Sequence, residues 1–190
     1  SADIMKNNQM VFFATSAGVT TELAQPFMDA GFPVIDLAGD YRLKSRDIYQ
    51  RWYKKEAPKS SYLQKSHYGL ADFTSSKGAT YVANPGCYAT ATILALAPLV
   101  KNHLIDPTSI IVDAKSGTSG AGKKLSQTTH FSQTNENLQL YKVNQHQHIP
   151  EIVQQLQNWD EKVPYIQFTT TLLPLTRGIM ASCYTKAKPE

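Results

Sequence analysis

Short apolar segments alternate with polar ones along the first part of the chain. The segment from Met10 to Ala14 has the length of a buried strand, and the segment from Pro33 to Ala38 has the same character. Between them, Thr20 begins a helical segment that Gly31 is expected to end. A strand, a helix and a second strand in this order predict a β-α-β unit with a parallel sheet.

The apolar pattern changes in the second part of the chain. The segment from Tyr88 to Val100 is apolar nearly throughout, which predicts a helix that is buried over most of its surface. Ser109 to Ala114 predicts a further strand. Residues 165–172 and 178–184 are rich in β-forming side chains, so we expect them to pair in a sheet.

Composition narrows the class of protein. The chain has 190 residues, of which 42% are hydrophobic and 18% charged, as expected of one large globular domain or two small ones. The formal charge is +4, but the basic residues form no long run, so we expect anionic small molecules rather than nucleic acid as partners. Two cysteines, no signal peptide and no membrane-length apolar segment predict a cytoplasmic protein without a membrane partner.

Cys87 is the first candidate for chemistry. It follows the chain break Asn84-Pro85-Gly86 and precedes the apolar helix, so it should lie at a strand-to-helix turn. The positive end of a helix favours the thiolate, which is the nucleophilic form of cysteine. The alternative is that Cys87 is a small buried apolar residue, and the sequence leaves both interpretations open.

The loops after the first two strands are candidates for ligand binding. Ligands of parallel sheets bind beyond the carboxyl ends of the strands, which here are Ser16 to Gly18 and Gly39 to Arg42. Arg42 suits a phosphate or carboxylate, although an ordinary surface arginine is the alternative. The glycine fingerprint of a dinucleotide-binding unit, G-x-G-x-x-G, does not occur, so we expect the β-α-β unit to start in mid-domain.

A glycine-rich loop follows the third predicted strand, from Ser116 to Lys124. Gly117, Gly122 and Lys123 match the phosphate loop G-x-x-x-x-G-K, but Lys124 stands where a nucleotide triphosphatase needs Ser or Thr for magnesium. We therefore favour a loop whose backbone approaches another phosphate or a flat cofactor ring, with a plain flexible loop as the alternative.

Two histidines, His146 and His148, are spaced to point the same way on an extended segment. A zinc site that adds Cys87 and Cys183 is one hypothesis, but neither cysteine has a nearby ligand at zinc spacing, so we expect no metal. An imidazole that serves as acid and base to the Cys87 thiolate needs no further ligands. Cys183 lies within a predicted strand, where packing is the expected role, and Arg177 precedes a glycine at a possible anion-binding corner.

Five motifs follow one another along the chain: Asp36–Leu43, Asn84–Tyr88, Ser116–Gly122, His146–Ile152 and Arg177–Ile179. Together, and in this order, they resemble the N-acetyl-gamma-glutamyl-phosphate reductases of the semialdehyde dehydrogenase superfamily. The resemblance implies an α/β plus α+β fold, with a partial Rossmann-type parallel sheet that binds NADP in residues 1–86 and an α+β catalytic and dimerisation domain in residues 87–190. It also implies a homo-oligomer, either a dimer or a tetramer.

The same resemblance implies the third step of arginine biosynthesis. Cys87 as thiolate attacks the acyl phosphate of N-acetyl-glutamyl 5-phosphate, and NADPH reduces the resulting thioester to the semialdehyde. His146 is the implied acid and base, and His148 competes for that role. The other implied roles are NADP(H) binding by Ser116, Gly117, Gly120 and Gly122, binding of its phosphates by Ser16 and Gly18, and substrate binding by Asn84, Arg177 and Lys123.

The chain departs from the family pattern at both ends, because it lacks the opening strand with its glycine-rich turn and stops soon after Tyr184. We therefore expect a fragment that binds NADPH weakly and turns over little or nothing. Two other functions stay open. One is a cofactor-independent cysteine acyltransferase or hydrolase, and the other is a non-catalytic association module.

Overall fold

Two four-stranded sheets organise the chain in a computed structural model that describes residues 1–189. Each sheet belongs to one compact unit, Ser1–Gly86 or Cys87–Glu190. The first sheet is entirely parallel and the second is mixed. The predicted fold class, α/β plus α+β, is confirmed.

The first unit contains the predicted β-α-β arrangement. Val11 in β1 aligns with Val34 in the parallel neighbour β2, and the strand order is β1-β2-β4-β3. The elements of this unit are α1 (Ala2–Asn7), β1 (Val11–Phe13), α2 (Thr20–Leu23), α3 (Gln25–Asp29), β2 (Val34–Asp36), α4 (Arg46–Tyr53), α5 (Ser60–Lys65), β3 (His67–Tyr68) and β4 (Tyr81–Ala83).

The helix predicted between the first two strands is divided into α2 and α3. Pro26 lies in the first turn of α3, and because proline has no backbone N–H it cannot continue the hydrogen-bond ladder from the preceding turn. Gly31 follows the second helix with φ +62°, and its N–H donates to the carbonyl of Met28. The predicted end of the helical segment at Gly31 is therefore confirmed.

The second unit is built around β5, which lies between the parallel strand β7 and the antiparallel strand β8. β6 pairs with β7 on its other side. The two strands expected to pair therefore share a sheet but are separated by β5. The elements of this unit are α6 (Cys87–Lys101), β5 (Ile111–Ser116), α7 (Phe131–Thr134), β6 (Gln139–Tyr141), α8 (Ile149–Gln157), β7 (Gln167–Leu172) and β8 (Ile179–Tyr184).

Helix α6 is buried over most of its surface, as predicted, because ten of the thirteen residues of Tyr88–Val100 are buried or half-buried. The helix packs against β8 and α8. Leu94 and Pro98 lie on the outer face and are exposed. The buried residues recur every three or four positions, as expected for a helix that covers one side of a sheet: Tyr88, Ala89, Thr92, Ile93, Leu96, Ala97 and Val100. Among residues 1–189, no helix has the length and apolar character that a membrane crossing requires.

Candidate functional site

Cys87 is the first residue of α6 and is exposed to solvent. The two residues that follow it, Tyr88 and Ala89, are 2% and 0% exposed. Burial of these side chains holds the first turn of the helix in place while the thiol remains accessible. The alternative in which Cys87 is a small core residue does not fit this exposure, and a thiol at the start of a 15-residue helix lies at its positive end.

Tyr88 joins the start of α6 to the segment that carries the histidines. Its hydroxyl lies 2.8 Å from the hydroxyl of Tyr141, and its ring meets the imidazole of His146 edge-on at 5.2 Å between centroids. Burial is the main cause that raises the pKa of both Tyr88 and Tyr141, and the negative charge of Cys87 raises both pKa values further. A thiolate at Cys87 is therefore within electrostatic reach of both hydroxyl groups.

His146 and His148 lie on a turn rather than on the extended segment that was predicted. They are nevertheless brought together, because the turn places their ring centroids 4.6 Å apart. Both are nearly buried, with 6% and 7% of their surfaces exposed. Phe168 of β7 packs against the His146 ring at 5.9 Å. The predicted pairing of the two imidazoles is correct, but the predicted backbone conformation is wrong.

The backbone assigns a tautomer to His146. The N–H of His148 donates to Nδ1 of His146 at 3.1 Å, so Nδ1 must be an unprotonated acceptor. Burial lowers the pKa of His146 to about 3, and the positive charges of His148 and Lys142 lower it too. The ring is therefore neutral at physiological pH, and its single proton lies on Nε2.

The glycine-rich loop and the Arg177 corner form one structure. Gly117 N–H donates to the carbonyl of Gly178 at 3.0 Å, and Thr118 N–H donates to the carbonyl of Leu175 at 2.8 Å. A Cβ on Gly117 would lie 2.8 Å from the backbone nitrogen of Arg177. The two segments were predicted separately, as a cofactor loop and an anion site, and the fold places them in contact.

The remaining residues of this loop differ in environment. Ser116 is buried, and its hydroxyl donates to the carbonyl of Gly117 at 2.8 Å. Gly120 lies in a short 3-10 turn, and Gly122 follows it with φ +80°. Lys123 and Arg177 are exposed, which leaves their charged groups accessible to an anion.

Cys183 lies on β8 opposite Val112 and is half-buried. Burial raises the pKa of its thiol to about 11, so it is a poor nucleophile and a poor metal ligand at neutral pH. Within the described residues 1–189, no three His, Cys, Asp or Glu side chains are grouped so as to hold a metal ion.

The loops of the first unit are held by their own side chains. Gly18, with φ +90°, donates its N–H to both carboxylate oxygens of Asp40 at 2.6 and 2.8 Å. This N–H is therefore engaged within the chain, and a phosphate contact for Gly18 stays a prediction that the geometry does not favour. Ser16 is exposed on the same loop.

Arg42 is neither a surface arginine nor an open anion site. It is 6% exposed, and it donates to the carbonyls of Asn84 and Leu37, both at 2.7 Å. The side chain of Asn84 donates to the carbonyl of Pro85 at 3.1 Å. Arg42 thus ties the end of β2 to the turn that precedes Cys87, and the substrate-binding role of Asn84 remains a prediction.

Two family models match this chain. Residues 87–190 match a model described as semialdehyde dehydrogenase, dimerisation domain, and residues 1–104 match one described as semialdehyde dehydrogenase, NAD binding domain. The chain belongs to the semialdehyde dehydrogenase family. The parallel sheet of the first unit lies within the NAD-binding match, the histidine turn lies within the dimerisation match, and Cys87 lies where the two matches overlap.

Curated relatives of this semialdehyde dehydrogenase carry the name N-acetyl-gamma-glutamyl-phosphate reductase. Those of Listeria welshimeri and Limosilactobacillus fermentum are each 59% identical to it, over 98% and 100% of this chain and 54% and 55% of their own lengths. The chain thus spans about half the length of the curated relatives it matches.

Solved structures share the fold. Aspartate semialdehyde dehydrogenase II of Vibrio cholerae aligns with a TM-score of 0.62 at 16% identity, over 95% of this chain and 56% of its own. Aspartate semialdehyde dehydrogenase of Candida albicans, solved with NADP, aligns with a TM-score of 0.57 at 12% identity, over 97% of this chain and 52% of its own.

Sequence reasoning missed two groups in this semialdehyde dehydrogenase. Asp40 was part of a candidate loop, but its role as acceptor for the loop of Gly18 was not foreseen; its position just beyond β2 was the available signal. The Tyr88–Tyr141 hydroxyl pair was also missed. No periodicity connects two side chains that are 53 residues apart in sequence.

Proposed function

We propose that the full-length protein is an NADP-dependent acyl-phosphate reductase. It would convert N-acetyl-glutamyl 5-phosphate to N-acetyl-glutamate 5-semialdehyde and phosphate, the third step of arginine biosynthesis. The observation that carries the proposal is the exposed Cys87 thiol at the start of α6, followed by Tyr88, which contacts both Tyr141 and the neutral His146. The substrate is taken from the name that the relatives carry, N-acetyl-gamma-glutamyl-phosphate reductase.

Cys87 is the nucleophile in this proposal. Its thiolate attacks the acyl carbon, and the bond from that carbon to the phosphate oxygen breaks, so phosphate leaves with the electron pair and a thioester remains. NADPH, when bound, supplies the hydride that reduces this thioester. In the resulting hemithioacetal oxyanion, the carbon–sulfur bond breaks as the aldehyde forms. The electron pair returns to sulfur, which regenerates the Cys87 thiolate.

For His146 we propose a role other than the acid and base that the sequence suggested. Its Nε2–H is a hydrogen-bond donor, and Nδ1 is already occupied by the N–H of His148. We infer that His146 stabilises the developing oxyanion by donation from Nε2. Because collapse of the oxyanion regenerates the thiolate directly, no net proton transfer at the imidazole is needed. His148 remains the competing candidate.

The chain has residues that suit the cofactor. In the second unit, a Cβ on Gly117 would meet the backbone of Arg177 at 2.8 Å, and a Cβ on Gly120 would meet the hydroxyl oxygen of Ser116 at 2.8 Å, so the absence of side chains at these positions leaves the loop backbone open to close approach. In the first unit, Ser16 lies at the carboxyl end of a parallel strand, where nucleotides bind in such sheets. We propose Ser16 and Gly18 of the first unit as contacts of the NADP(H) phosphates. In the second unit, we propose Ser116, Gly117, Gly120 and Gly122 as NADP(H) contacts, with Arg177 and Lys123 available to the substrate anion.

The deciding experiment measures NADPH oxidation by the full-length protein with the acyl phosphate as substrate. We expect turnover that depends on both compounds, and Cys87→Ala should lower it by about 10³-fold or more without unfolding the protein. Cys183→Ala is the matched control and should retain most of the activity. Release of phosphate without NADPH oxidation would instead indicate the acyltransferase or hydrolase, and no reaction at all would favour an association module.

We also propose that the protein forms a homo-oligomer, a dimer or a tetramer, through the outer face of the second sheet. Met180 and Tyr184 on β8, Ile111 on β5 and Leu140 on β6 are large, exposed side chains that lie on this face. A face of this kind commonly marks a protein interface, and the family model for this region is described as a dimerisation domain.

Sedimentation of the full-length protein tests this proposal. We expect Met180→Lys to shift the assembly toward monomer, because a charge would have to be buried at the interface. Ile48→Lys, which changes an exposed apolar residue of the first unit, is the control and should leave the mass unchanged. An unaltered mass for Met180→Lys would exclude this face.

We also propose a cytoplasmic location for the protein. The two cysteines support it, because neither forms a disulfide.

A further inference from the structure

The carboxylate of Asp40 accepts several hydrogen bonds from the segment that follows β1. Asp40 is fully buried. Its two oxygens accept hydrogen bonds from two successive parts of that loop and from a tyrosine of α4. The donors are Gly18 N–H at 2.6 and 2.8 Å, Thr20 N–H at 3.1 Å, Thr20 hydroxyl at 2.8 Å, Thr21 N–H at 3.3 Å and Tyr49 hydroxyl at 2.6 Å.

These hydrogen bonds fix the conformation of the backbone between β1 and α2. Gly18 has φ +90°, a conformation that other residues rarely adopt, and its N–H points at the carboxylate. The first N–H groups of α2, which have no partner within the helix, are also satisfied by Asp40. An ionised carboxylate accepts several donors at once, whereas a neutral side chain in its place has to turn a donor toward them.

A second buried carboxylate, Asp36, differs from Asp40 in its surroundings. Its oxygens accept from Ala38 N–H at 2.8 Å and from the Tyr81 hydroxyl at 2.7 Å. The hydroxyl oxygen of Thr20 lies 3.1 Å from Asp36 and 2.8 Å from Asp40, but it has only one proton to donate. The shorter contact assigns that proton to Asp40.

Asp36 can therefore become neutral without loss of the cluster. A proton on its Oδ2 would be donated to the Thr20 oxygen, which continues to donate to Asp40. Burial raises the pKa of Asp36, and the charge of Asp40 also raises it. Asp40 differs, because backbone N–H groups, which can only donate, occupy both of its oxygens: Gly18 N–H contacts Oδ1 and Oδ2, and the N–H groups of Thr20 and Thr21 contact Oδ2. The contacts of Oδ2 of Asp36 are with hydroxyl groups, which can also accept.

We propose that Asp40 is a positioning residue for the cofactor, and that its negative charge shapes the Ser16–Thr20 segment for NADP(H) while the charge of Asp36 is dispensable. The proposal rests on the proposed function for the identity of the ligand. The effect of Asp40 on the backbone of the Ser16–Thr20 segment is independent of the proposed function, because the order of this segment can be measured without any cofactor.

The test compares Asp40→Asn with Asp36→Asn in the full-length protein. The two variants make the same substitution at neighbouring buried sites, so each is the control for the other. NADPH affinity is measured by fluorescence titration, and amide hydrogen exchange of Gly18, Thr20 and Thr21 is measured without cofactor. We expect Asp40→Asn to weaken NADPH binding by about 10-fold or more and to accelerate exchange at these amides.

Asp36→Asn should stay within about 2-fold of the wild type in affinity and should retain the protection of the three amides. In turnover, Asp40→Asn should raise the KM for NADPH more than it lowers kcat, which a general loss of stability would not produce. Equal effects of the two substitutions, or unchanged amide exchange in Asp40→Asn, would overturn the proposal.

Failure of the Asp40→Asn variant to fold and failure of the wild-type protein to bind NADPH can be told apart. If Asp40→Asn does not fold, Asp36→Asn still tests the asymmetry, because weakened binding or lost amide protection in that variant overturns the proposal. If the wild-type protein binds no NADPH, the proposed function fails, while the exchange of the three amides still decides whether Asp40 orders the loop.

Discussion

The backbone N–H of His148 donates a hydrogen bond of 3.1 Å to Nδ1 of His146. The chain therefore selects the tautomer of this imidazole through its own main chain, without a carboxylate partner for Nδ1. The proton remains on Nε2, which makes the ring a donor. This relationship supports the proposed role of His146 as a donor to an oxyanion rather than as a base for the thiol.

The burial of His146 should make stability depend on pH. The pKa is about 3 in the folded state and 6.5 in the unfolded reference, so the unfolded chain binds one more proton between these values. The stabilisation is fully present above pH 6.5 and is lost as pH falls through that window, by at most about 1.4 kcal/mol per pH unit. Urea unfolding at several pH values measures this slope.

His146→Gln should flatten that slope, because glutamine has no proton to bind. His130→Gln is the matched control, since His130 is exposed in the same unit and its substitution should leave the slope unchanged. If the wild-type protein and His146→Gln lose stability in parallel below pH 6.5, His146 is not the group responsible.

Gly117→Ala should destabilise the second unit more than Gly120→Ala. A Cβ at position 117 would meet the backbone of Thr176 and Arg177 at 2.8 to 2.9 Å, and backbone cannot rotate away. We expect a loss of about 1–3 kcal/mol in the free energy of unfolding. At position 120 the Cβ meets only the hydroxyl oxygen of Ser116, a side chain that can turn aside.

The Gly120→Ala loss should stay below about 1 kcal/mol, and Ser116→Ala in the same chain should recover part of it. Thermal unfolding of the variants gives the comparison. Similar losses at positions 117 and 120 would show that conformational freedom, rather than the close approach to Arg177, is what these glycines provide.

The hydroxyl pair of Tyr88 and Tyr141 should contribute a measurable coupling energy. The two oxygens lie 2.8 Å apart, and both rings are at least partly buried. In a double-mutant cycle with Tyr88→Phe and Tyr141→Phe, we expect a coupling of about 0.5–1.5 kcal/mol in the free energy of unfolding. Strictly additive losses would mean that the hydroxyls do not bond in solution.

The two cysteines should react at different rates with an alkylating reagent. Cys87 is exposed, whereas Cys183 is half-buried and burial raises the pKa of its thiol to about 11. Relative to the reference value of 9.0, this reduces the thiolate fraction of Cys183 at neutral pH by about 100-fold. Mass spectrometry after brief treatment with iodoacetamide should find the label on Cys87, and Cys87→Ala should abolish it.

Local patterns were enough to predict the elements. The apolar segments at Met10–Ala14 and Pro33–Ala38 contain strands, and the break at Pro85-Gly86 predicted the start of α6 at Cys87. These features depend on neighbours in sequence, through burial of one face and through the fixed torsions of proline and glycine. Which side of α6 faces the sheet was not predictable in this way, because an almost wholly apolar helix gives no indication of it.

The order of the motifs along the chain determined its family, and the positions of Pro and Gly determined where a cysteine would meet a helix. Only the tertiary structure decided that Gly117 lies against Arg177, that Asp40 accepts from Gly18, and that a backbone N–H holds Nδ1 of His146. The physical reason is that hydrogen bonds and close packing between distant segments depend on strand register and on the direction of individual side chains. Neither is encoded in the spacing of residue types.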